Sequence, residues 1–277
     1  MNKLKNRNAI LTGANGGLGS HLALALAQEG MNLLLVGYPG VGLEVVEARV
    51  QSHGVKCHKL VADLSTNGGR DLVVQAALQQ LGSVHLLINN AGVEHNSYFH
   101  ELPQRALREI IAVNLEAPMY LTHQLLPQML RQKAGHVVNL SSLAGKSGPA
   151  FQEPYAATKA ALSAFTFSLR SSYRGTGVSA SAITPGFIET GIYSRLKAQS
   201  GRSAPMLLGA CHPQDVCRAT LRAIRNDLPE IILNRFPIRP ALALAMLFPR
   251  FGEWVVNAIG VNDFFRRIAT TNTTHSQ

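Results

Sequence analysis

The segment Leu11-Thr12-Gly13-Ala14-Asn15-Gly16-Gly17-Leu18-Gly19 joins an apolar run that begins at Ala9 to a helical pattern that ends near Glu29. Glycines at such a junction let the backbone turn tightly and approach a ligand closely. The amides at a helix N-terminus also bind anions such as a pyrophosphate. A glycine cluster alone is a weak signal, because ordinary turns are rich in glycine. Its place directly after the first strand strengthens the prediction of a dinucleotide site.

Short apolar runs alternate with helical patterns through most of the chain, which is typical of a parallel α/β sheet. The runs are uninterrupted and rich in Val, Leu and Ile, as expected for strands that helices cover on both faces. We predict strands at residues 9–12, 32–36, 56–61, 86–89, 136–140, 178–184 and 230–233. We predict helices at residues 17–29, 43–53, 71–81, 103–132, 155–174 and 213–225. Pro118 and Pro127 fall inside the fourth helix, so we expect it to be kinked or divided.

The composition fits one large domain in a reducing compartment. The 277 residues are 46% hydrophobic and 15% charged, which excludes a disordered chain. A net charge of +10 permits acidic substrates, nucleic acid or an anionic membrane as partners, and it does not choose among them. Three cysteines are too few for a disulfide framework, and Cys211, His212 and Cys217 lack a fourth zinc ligand, so we predict no metal site. No segment of signal-peptide type precedes the first strand, so we expect a cytoplasmic protein.

Further motifs follow the predicted strands in order. Asp63-Leu64 comes after the third strand, Asn89-Asn90-Ala91-Gly92 after the fourth, and Pro185-Gly186 with Thr190 after the sixth. Together with the spacing Thr-Gly-x3-Gly-x-Gly at residues 12–19, they resemble the short-chain dehydrogenase/reductase family over residues 7–235. The resemblance implies a single Rossmann-type domain, a doubly wound parallel sheet of about seven strands with helices on both faces. It also implies an oxidoreductase that interconverts a secondary alcohol and a ketone by hydride transfer to or from a nicotinamide.

The resemblance assigns cofactor contacts residue by residue. The expected cofactor-binding residues are Thr12, Gly13, Asn15, Gly17, Leu18, Gly19, Tyr38, Asp63, Leu64, Asn90, Ala91, Gly92, Tyr155, Lys159, Pro185, Gly186, Ile188 and Thr190. In the family, an acid at the end of the second strand binds the ribose of NAD, and a basic residue there or in the glycine turn pairs with the 2′-phosphate of NADP. Gly37, Tyr38 and Gly16 provide neither group. Because a missing acid removes a repulsion against phosphate, we favour NADP(H) over NAD(H).

Three polar residues are expected to converge beside the nicotinamide. Tyr155 and Lys159 are four residues apart and share one helix face, and Ser142 lies just past the fifth strand, at the edge where open α/β sheets bind ligands. We expect Tyr155 to act as general acid in ketone reduction and as general base in alcohol oxidation. The ammonium group of Lys159, together with the positive nicotinamide of the oxidised cofactor, is expected to lower its pKa. By resemblance, Lys159 also holds the nicotinamide ribose, while Ser142 binds the substrate oxygen. Asn114 resembles the family's fourth catalytic residue, which holds a water behind Lys159.

The substrate is expected to be apolar. Residues 187–208 follow the sixth strand and are rich in large apolar side chains, which suits a lipid, steroid, retinoid or 3-oxoacyl thioester, and hence lipid metabolism. The same side chains could instead pack this segment onto the domain and say nothing of the ligand. The alternative function is a non-catalytic dinucleotide-binding sensor or scaffold, against which the complete set of Ser142, Tyr155 and Lys159 stands. No helix-turn-helix, zinc module or basic stripe with aromatic residues indicates nucleic-acid binding.

The pattern changes after residue 235. Pro237, Pro240 and Pro249 separate apolar runs at residues 241–248 and 254–259, which are far shorter than the ~20 residues of a transmembrane helix. We therefore divide the chain into residues 1–235, a dinucleotide-binding and catalytic domain, and residues 236–277, a C-terminal helical extension. Three roles stay open for the extension: packing on the domain, covering the substrate, or touching a membrane surface. By resemblance, the long fourth and fifth helices imply a homodimer or homotetramer.

Overall fold

The protein, described by a computed structural model at residues 4–40, 42–206 and 208–274, is built around one seven-stranded parallel sheet. The strands of this sheet are β1 (Asn8–Thr12), β2 (Asn32–Gly37), β3 (Cys57–Val61), β4 (Leu86–Asn89), β5 (Gly135–Leu140), β6 (Val178–Pro185) and β9 (Glu230–Leu233). A second, two-stranded sheet pairs β7 (Phe187–Ile188) with β8 (Ala210–Cys211).

Helices connect the strands and follow the last of them. Those of the main domain are α1 (Gly17–Gln28), α2 (Leu43–Gln51), α3 (Asn67–Leu81), α4 (Gln104–Ile111), α5 (Ala117–Arg131), α6 (Ala144–Ser147), α7 (Glu153–Ser172), α8 (Gly191–Ser200) and α9 (Pro213–Asn226). The C-terminal extension holds α10 (Arg239–Leu247), α11 (Pro249–Ala258) and α12 (Val261–Thr274). A short 3-10 turn covers Phe99–Glu101.

The strand order is β3-β2-β1-β4-β5-β6-β9, with every neighbouring pair parallel. The chain winds outward from β1 to β3 on one side, then returns to β4 and winds outward on the other side. This reversal opens a crevice between β1 and β4 at the C-terminal edge of the sheet, where ligands of doubly wound folds bind. The expected α/β sheet of Rossmann type is therefore confirmed.

Successive residues of β2 pack into different apolar cores, one on each face of the sheet. Leu33 and Leu35 pack among residues of α1, α2 and α9, whereas Leu34 and Val36 pack among residues of α3 and α5 on the opposite face. All four side chains are fully buried. Coverage of both faces is the reason that these strands are continuous apolar runs in the sequence.

The predicted fourth helix is divided. A π-helical segment, Ala112–Glu116, separates α4 from α5, and Pro118 lies in the first turn of α5, directly after this segment. The expected division therefore occurs, just before Pro118. Pro127 does not divide the helix, since α5 continues through it to Arg131.

The segment after β6 is more ordered than the expected loop. It contains β7 and α8, and Leu207, part of its apolar set, lies outside the described residues. An aromatic cluster joins this segment to the extension, because Phe187 of β7 contacts Tyr193 of α8 and both Phe264 and Phe265 of α12, with ring centroids 5.2 to 6.1 Å apart. We call residues 187–208 the lid. Through this cluster, the lid and the extension share a small apolar core.

In the described part of the chain, no helix combines the length and the apolar character needed to cross a bilayer.

Candidate active site

A cleft of about 540 Å³ opens at the C-terminal edge of the sheet, at the reversal between β1 and β4. Its floor is the glycine turn and the ends of the central strands, and one wall is the start of α7. The lid and the hairpin of α10 and α11 form the other walls. The cleft therefore brings the predicted cofactor residues and the predicted catalytic residues to one space.

The glycine turn has no room for side chains at several of its positions, among them Gly13 and Gly19. Gly13 has a φ of +65°, and a β-carbon there would lie 2.9 Å from Cα of Ala91. A β-carbon on Gly19 would overlap the carbonyl oxygen of Gly13. The turn can thus pack tightly between β1 and the loop after β4 only with glycine at these positions.

Asn90 and Thr12 fasten this turn to the loop after β4. The Asn90 side-chain amide donates to the carbonyl oxygens of Thr12 at 2.9 Å and Gly13 at 3.1 Å. The hydroxyl oxygen of Thr12 accepts from the amides of Asn90 and Ala91, both at 3.0 Å. The two motifs that the sequence places 78 residues apart are thus one hydrogen-bonded unit.

This unit fits the pyrophosphate of a dinucleotide. No side chain caps the N-terminus of α1, where Gly16 is the N-cap residue, so amide donors of its first turn stay open to an anion. At the far end of the cleft, Asp63 and Tyr38 line the space expected for the adenosine. Neither Gly37 nor Tyr38, at the end of β2, brings a carboxylate to this end.

Ser142, Tyr155 and Lys159 meet in the same cleft. Tyr155 and Ser142 line the same part of the cleft, and the Ser142 hydroxyl acts to lower the pKa of the Tyr155 phenol. The Lys159 ammonium lies 5.6 Å from the centroid of the Tyr155 ring and donates to the carbonyl oxygen of Leu140 at 2.8 Å. Ser141 serves packing instead, because its hydroxyl contacts Ser163 Oγ and the Lys159 carbonyl oxygen, both at 2.8 Å.

The electrostatics of this group differ from the sequence expectation. Burial and the Glu94 carboxyl raise the pKa of Tyr155 above its ordinary value, and the hydrogen bond from Ser142 only partly offsets this. Burial lowers the pKa of Lys159 to about 8, opposed by Glu94. The net shift of the Tyr155 pKa is upward in the protein alone, because removal of the phenolate from water outweighs the other effects.

Asn114 lies behind Lys159 in the π-helical segment and is fully buried. Its side chain forms two hydrogen bonds with the backbone of Val93, each 2.8 Å, one through the amide and one through the carbonyl oxygen. A β-carbon on Gly92 would lie 3.4 Å from Asn114 Oδ1 and 3.5 Å from Lys159 Nζ, so these two polar groups flank the same glycine. Asn114 thus fixes the loop after β4 directly behind the catalytic candidates.

Of the predicted site residues, Thr12 and Asn114 lie beneath the cleft, and the others line it. Sequence reasoning missed several polar residues of the wall, among them Glu94 and Gln152, whose side chains are hydrogen-bonded at 3.1 Å. They are 58 residues apart and belong to no spacing pattern. Sequence reasoning also named no residue of the wall that the C-terminal extension forms. This wall includes Leu242, Ala245 and Val256.

Comparison with known proteins agrees with this description of the site. The sequence model of the family described as short chain dehydrogenase matches residues 7–201. A ketoacyl reductase named HetN from Nostoc sp. is 35% identical over 275 residues, which cover 97% of this chain and 94% of that protein. An uncharacterized oxidoreductase from Myxococcus xanthus is 35% identical over 75% of this chain and 81% of its own length. A 3-oxoacyl-[acyl-carrier-protein] reductase, FabG, from Staphylococcus epidermidis is 32% identical over 66% of this chain and 75% of its own length.

Proposed function

The chain belongs to the short-chain dehydrogenase/reductase family and is an oxidoreductase acting on CH–OH groups, and on that premise we propose that it reduces an apolar ketone to a secondary alcohol with Tyr155 as the proton donor. The observation that carries this proposal is the meeting of Tyr155, Ser142 and Lys159 beside the glycine turn in one cleft. Because its pKa is raised, Tyr155 is protonated at neutral pH, which is the state that a proton donor needs.

Each residue has a role that its contacts support. A bound nicotinamide cofactor supplies the hydride. Tyr155 transfers its proton to the ketone oxygen, and Ser142 donates a hydrogen bond to the same oxygen, which stabilises the developing alkoxide. Lys159, with a pKa of about 8, stays largely cationic at neutral pH and holds the cofactor ribose. Asn114 keeps the loop at Val93 in place behind Lys159.

NADP(H) is the cofactor that we propose. The end of β2 presents Gly37 and Tyr38 and no acid, so a 2′-phosphate meets no repulsion there. The specificity constant for NADPH should exceed that for NADH in steady-state assays. A strong preference for NADH would contradict this assignment.

The proposed substrate class is the 3-oxoacyl thioester. The lid and the extension give the cleft an apolar wall that suits an acyl chain, and two of the relatives are ketoacyl reductases by name. The test is oxidation of NADPH in the presence of 3-oxoacyl thioesters of increasing chain length, compared with simple ketones and aldehydes. Rates should rise with the length of the acyl chain. A chain that oxidises NADPH with none of these carbonyl compounds would contradict the proposed reductase, and the non-catalytic alternative would then be favoured.

We also propose that the hairpin of α10 and α11 rests on an anionic membrane surface. Its outer side exposes a group that we call the apolar crest: Leu244, Met246, Leu247, Phe248, Phe251 and Trp254. Met246 is 74% and Trp254 64% exposed, and the exposed Arg239 and Arg250 lie in the same two helices. Apolar side chains bordered by arginines suit insertion at a lipid interface.

The family resemblance and the exposed apolar side chains Met119 of α5 and Phe167 of α7 support a homodimer or homotetramer. The three cysteines are free and buried, which suits the cytoplasm that we propose as the location.

A further inference from the structure

Glu94 brings a carboxyl group into the wall of the cleft, next to the reacting centre. It follows the loop after β4 and lines the same space as Tyr155 and Ser142. Its charge acts on both Tyr155 and Lys159, raising the pKa of each. The carboxyl group therefore lies where a substrate held by Tyr155 would meet it.

The position of this carboxyl group is fixed by neutral donors. The Gln152 amide donates to Glu94 Oε2 at 3.1 Å, and the Asn96 amide donates to Oε1 at 3.3 Å. Gln152, at the start of α7, is itself buried, and the backbone at Val93 is held by Asn114. Two side-chain donors thus hold the Glu94 carboxyl group, and Asn114 fixes the backbone of the residue before it.

Across residues 4–40, 42–206 and 208–274, no ion pair includes Glu94, although Arg195 and Lys159 line the same cleft. Burial raises its pKa to about 7, against the opposing effects of Asn96, Arg195, Gln152 and Lys159. Burial of a charged carboxyl group costs free energy unless its oxygens are hydrogen-bonded. The two amide donors occupy only part of the roughly four lone-pair positions on the Glu94 oxygens. The remaining positions are open to a donor in the cleft.

We propose that Glu94, held by Gln152, is a substrate-binding residue that accepts a hydrogen bond from a neutral donor on the substrate. The donor is a hydroxyl beside the ketone or, in a 3-oxoacyl thioester, the amide N–H of the arm that carries the sulfur. The inference rests on the proposed ketone reduction and adds a polar requirement to an otherwise apolar substrate. A carboxylate at that position of the substrate would be repelled by Glu94.

The test compares two ketones that differ only in this donor, 2-hydroxyacetophenone and 2-methoxyacetophenone. Their dissociation constants are measured by calorimetry with the NADPH-saturated protein and with the protein alone, and their kcat/KM values are measured in parallel. At about pH 8, where Glu94 with its pKa of about 7 is mostly ionised, the wild type should favour the hydroxyl compound by about tenfold, the equivalent of one hydrogen bond to a charged acceptor. Glu94→Met, which keeps the length and removes the acceptor, should abolish the preference, and Glu94→Gln should reduce it.

The matched control is Glu109→Met, because Glu109 is a half-buried carboxylate that also lines the cleft. This variant should keep the wild-type preference. Equal affinities for the two ketones in the wild type would overturn the proposal, as would a preference that survives in both Glu94 variants. Failure to bind either ketone would overturn it as well. A retained preference in binding without hydride transfer would instead contradict the proposed reductase and leave the subsite supported.

Discussion

Tyr155 is a phenol that its own surroundings keep protonated. Burial and the nearby carboxyl of Glu94 both favour the neutral form, while the Ser142 hydroxyl gives a hydrogen bond that favours the charged one. In this state Tyr155 carries the proton that it donates in ketone reduction. To accept a proton from an alcohol, it must first become a phenolate.

Replacement of Tyr155 by Phe should therefore remove catalysis and leave the cleft intact. We expect ketone-dependent NADPH oxidation to fall by about 10²- to 10⁴-fold, the usual contribution of a general acid. The dissociation constant for NADPH, followed by its fluorescence, should stay within about threefold of the wild type. Unchanged turnover in Tyr155→Phe would refute the assigned mechanism.

The charge of Glu94 should appear in the pH dependence of the reverse reaction. Alcohol oxidation needs the phenolate of Tyr155, so its rate rises with pH toward the pKa of that phenol. Glu94 raises this pKa, and Glu94→Gln should therefore move the rise to lower pH. The measurement is kcat/KM for a secondary alcohol between pH 6 and about pH 10. A profile that stays in place, or moves to higher pH, would show that Glu94 does not act on Tyr155.

At the scale of elements, the junction of β1 and α1 depends on a glycine that has no space for a methyl group. Gly19→Ala should push the Gly13 carbonyl out of place and weaken NADPH binding by at least about tenfold. Gly68→Ala is the control, since Gly68 lies in α3 with open space around it. That variant should bind NADPH normally and gain about 0.5–1 kcal/mol of stability. Equal NADPH affinities in the two variants would argue against a cofactor at this turn.

Arg70 links α3 to the loop after β3 and to the π-helical segment. Its guanidinium is 1% exposed and donates to the carbonyl oxygens of Leu64 at 2.8 Å and Ser65 at 3.2 Å, and it pairs with Glu116 of the π-helical segment. Arg70→Met should lower the free energy of unfolding by about 1–3 kcal/mol, because the carbonyl groups lose their donor. Urea denaturation measures this, with Arg174→Met, away from such contacts, as the reference. A loss no larger than that of the reference would contradict the role of Arg70.

The elements that the sequence predicted well are those with strong local patterns. Leu33 to Val36 form an unbroken apolar run because both faces of β2 are covered, and this is visible without a structure. The π-helical segment and α8 were missed because they lack such a pattern. The π-helical segment contains Asn114, whose hydrogen bonds are made with Val93 in a distant loop. Helix α8 begins directly after Thr190, the last residue of a motif that reads as a loop in the sequence. Glu94 was missed because its partners come from distant parts of the chain.

On the scale of the whole molecule, the extension has two unlike sides. Ala245 and Val256 face the cleft, whereas the apolar crest faces away from the protein. An apolar substrate leaving a lipid surface below the crest would therefore have a short path to the cleft.

The triple variant Leu247→Ser, Phe248→Ser, Trp254→Ser should lose binding to vesicles. In cosedimentation with vesicles that contain phosphatidylglycerol, we expect at least a tenfold weaker partition, and high salt should weaken the wild type as well. Val45→Ser, which alters a 62% exposed side chain of α2, serves as the control and should bind like the wild type. Wild-type protein that stays in the supernatant would contradict the membrane contact.

The aromatic cluster of Phe187, Tyr193, Phe264 and Phe265 has an evolutionary consequence. Because these rings interlock, neither the lid nor the last helix can change its large side chains without a matching change in the other. Descendants of this protein should therefore exchange or lose the two segments as a pair. A chimera that takes only the lid from a relative should fold poorly, whereas one that takes both segments should recover a working cleft with a new substrate range.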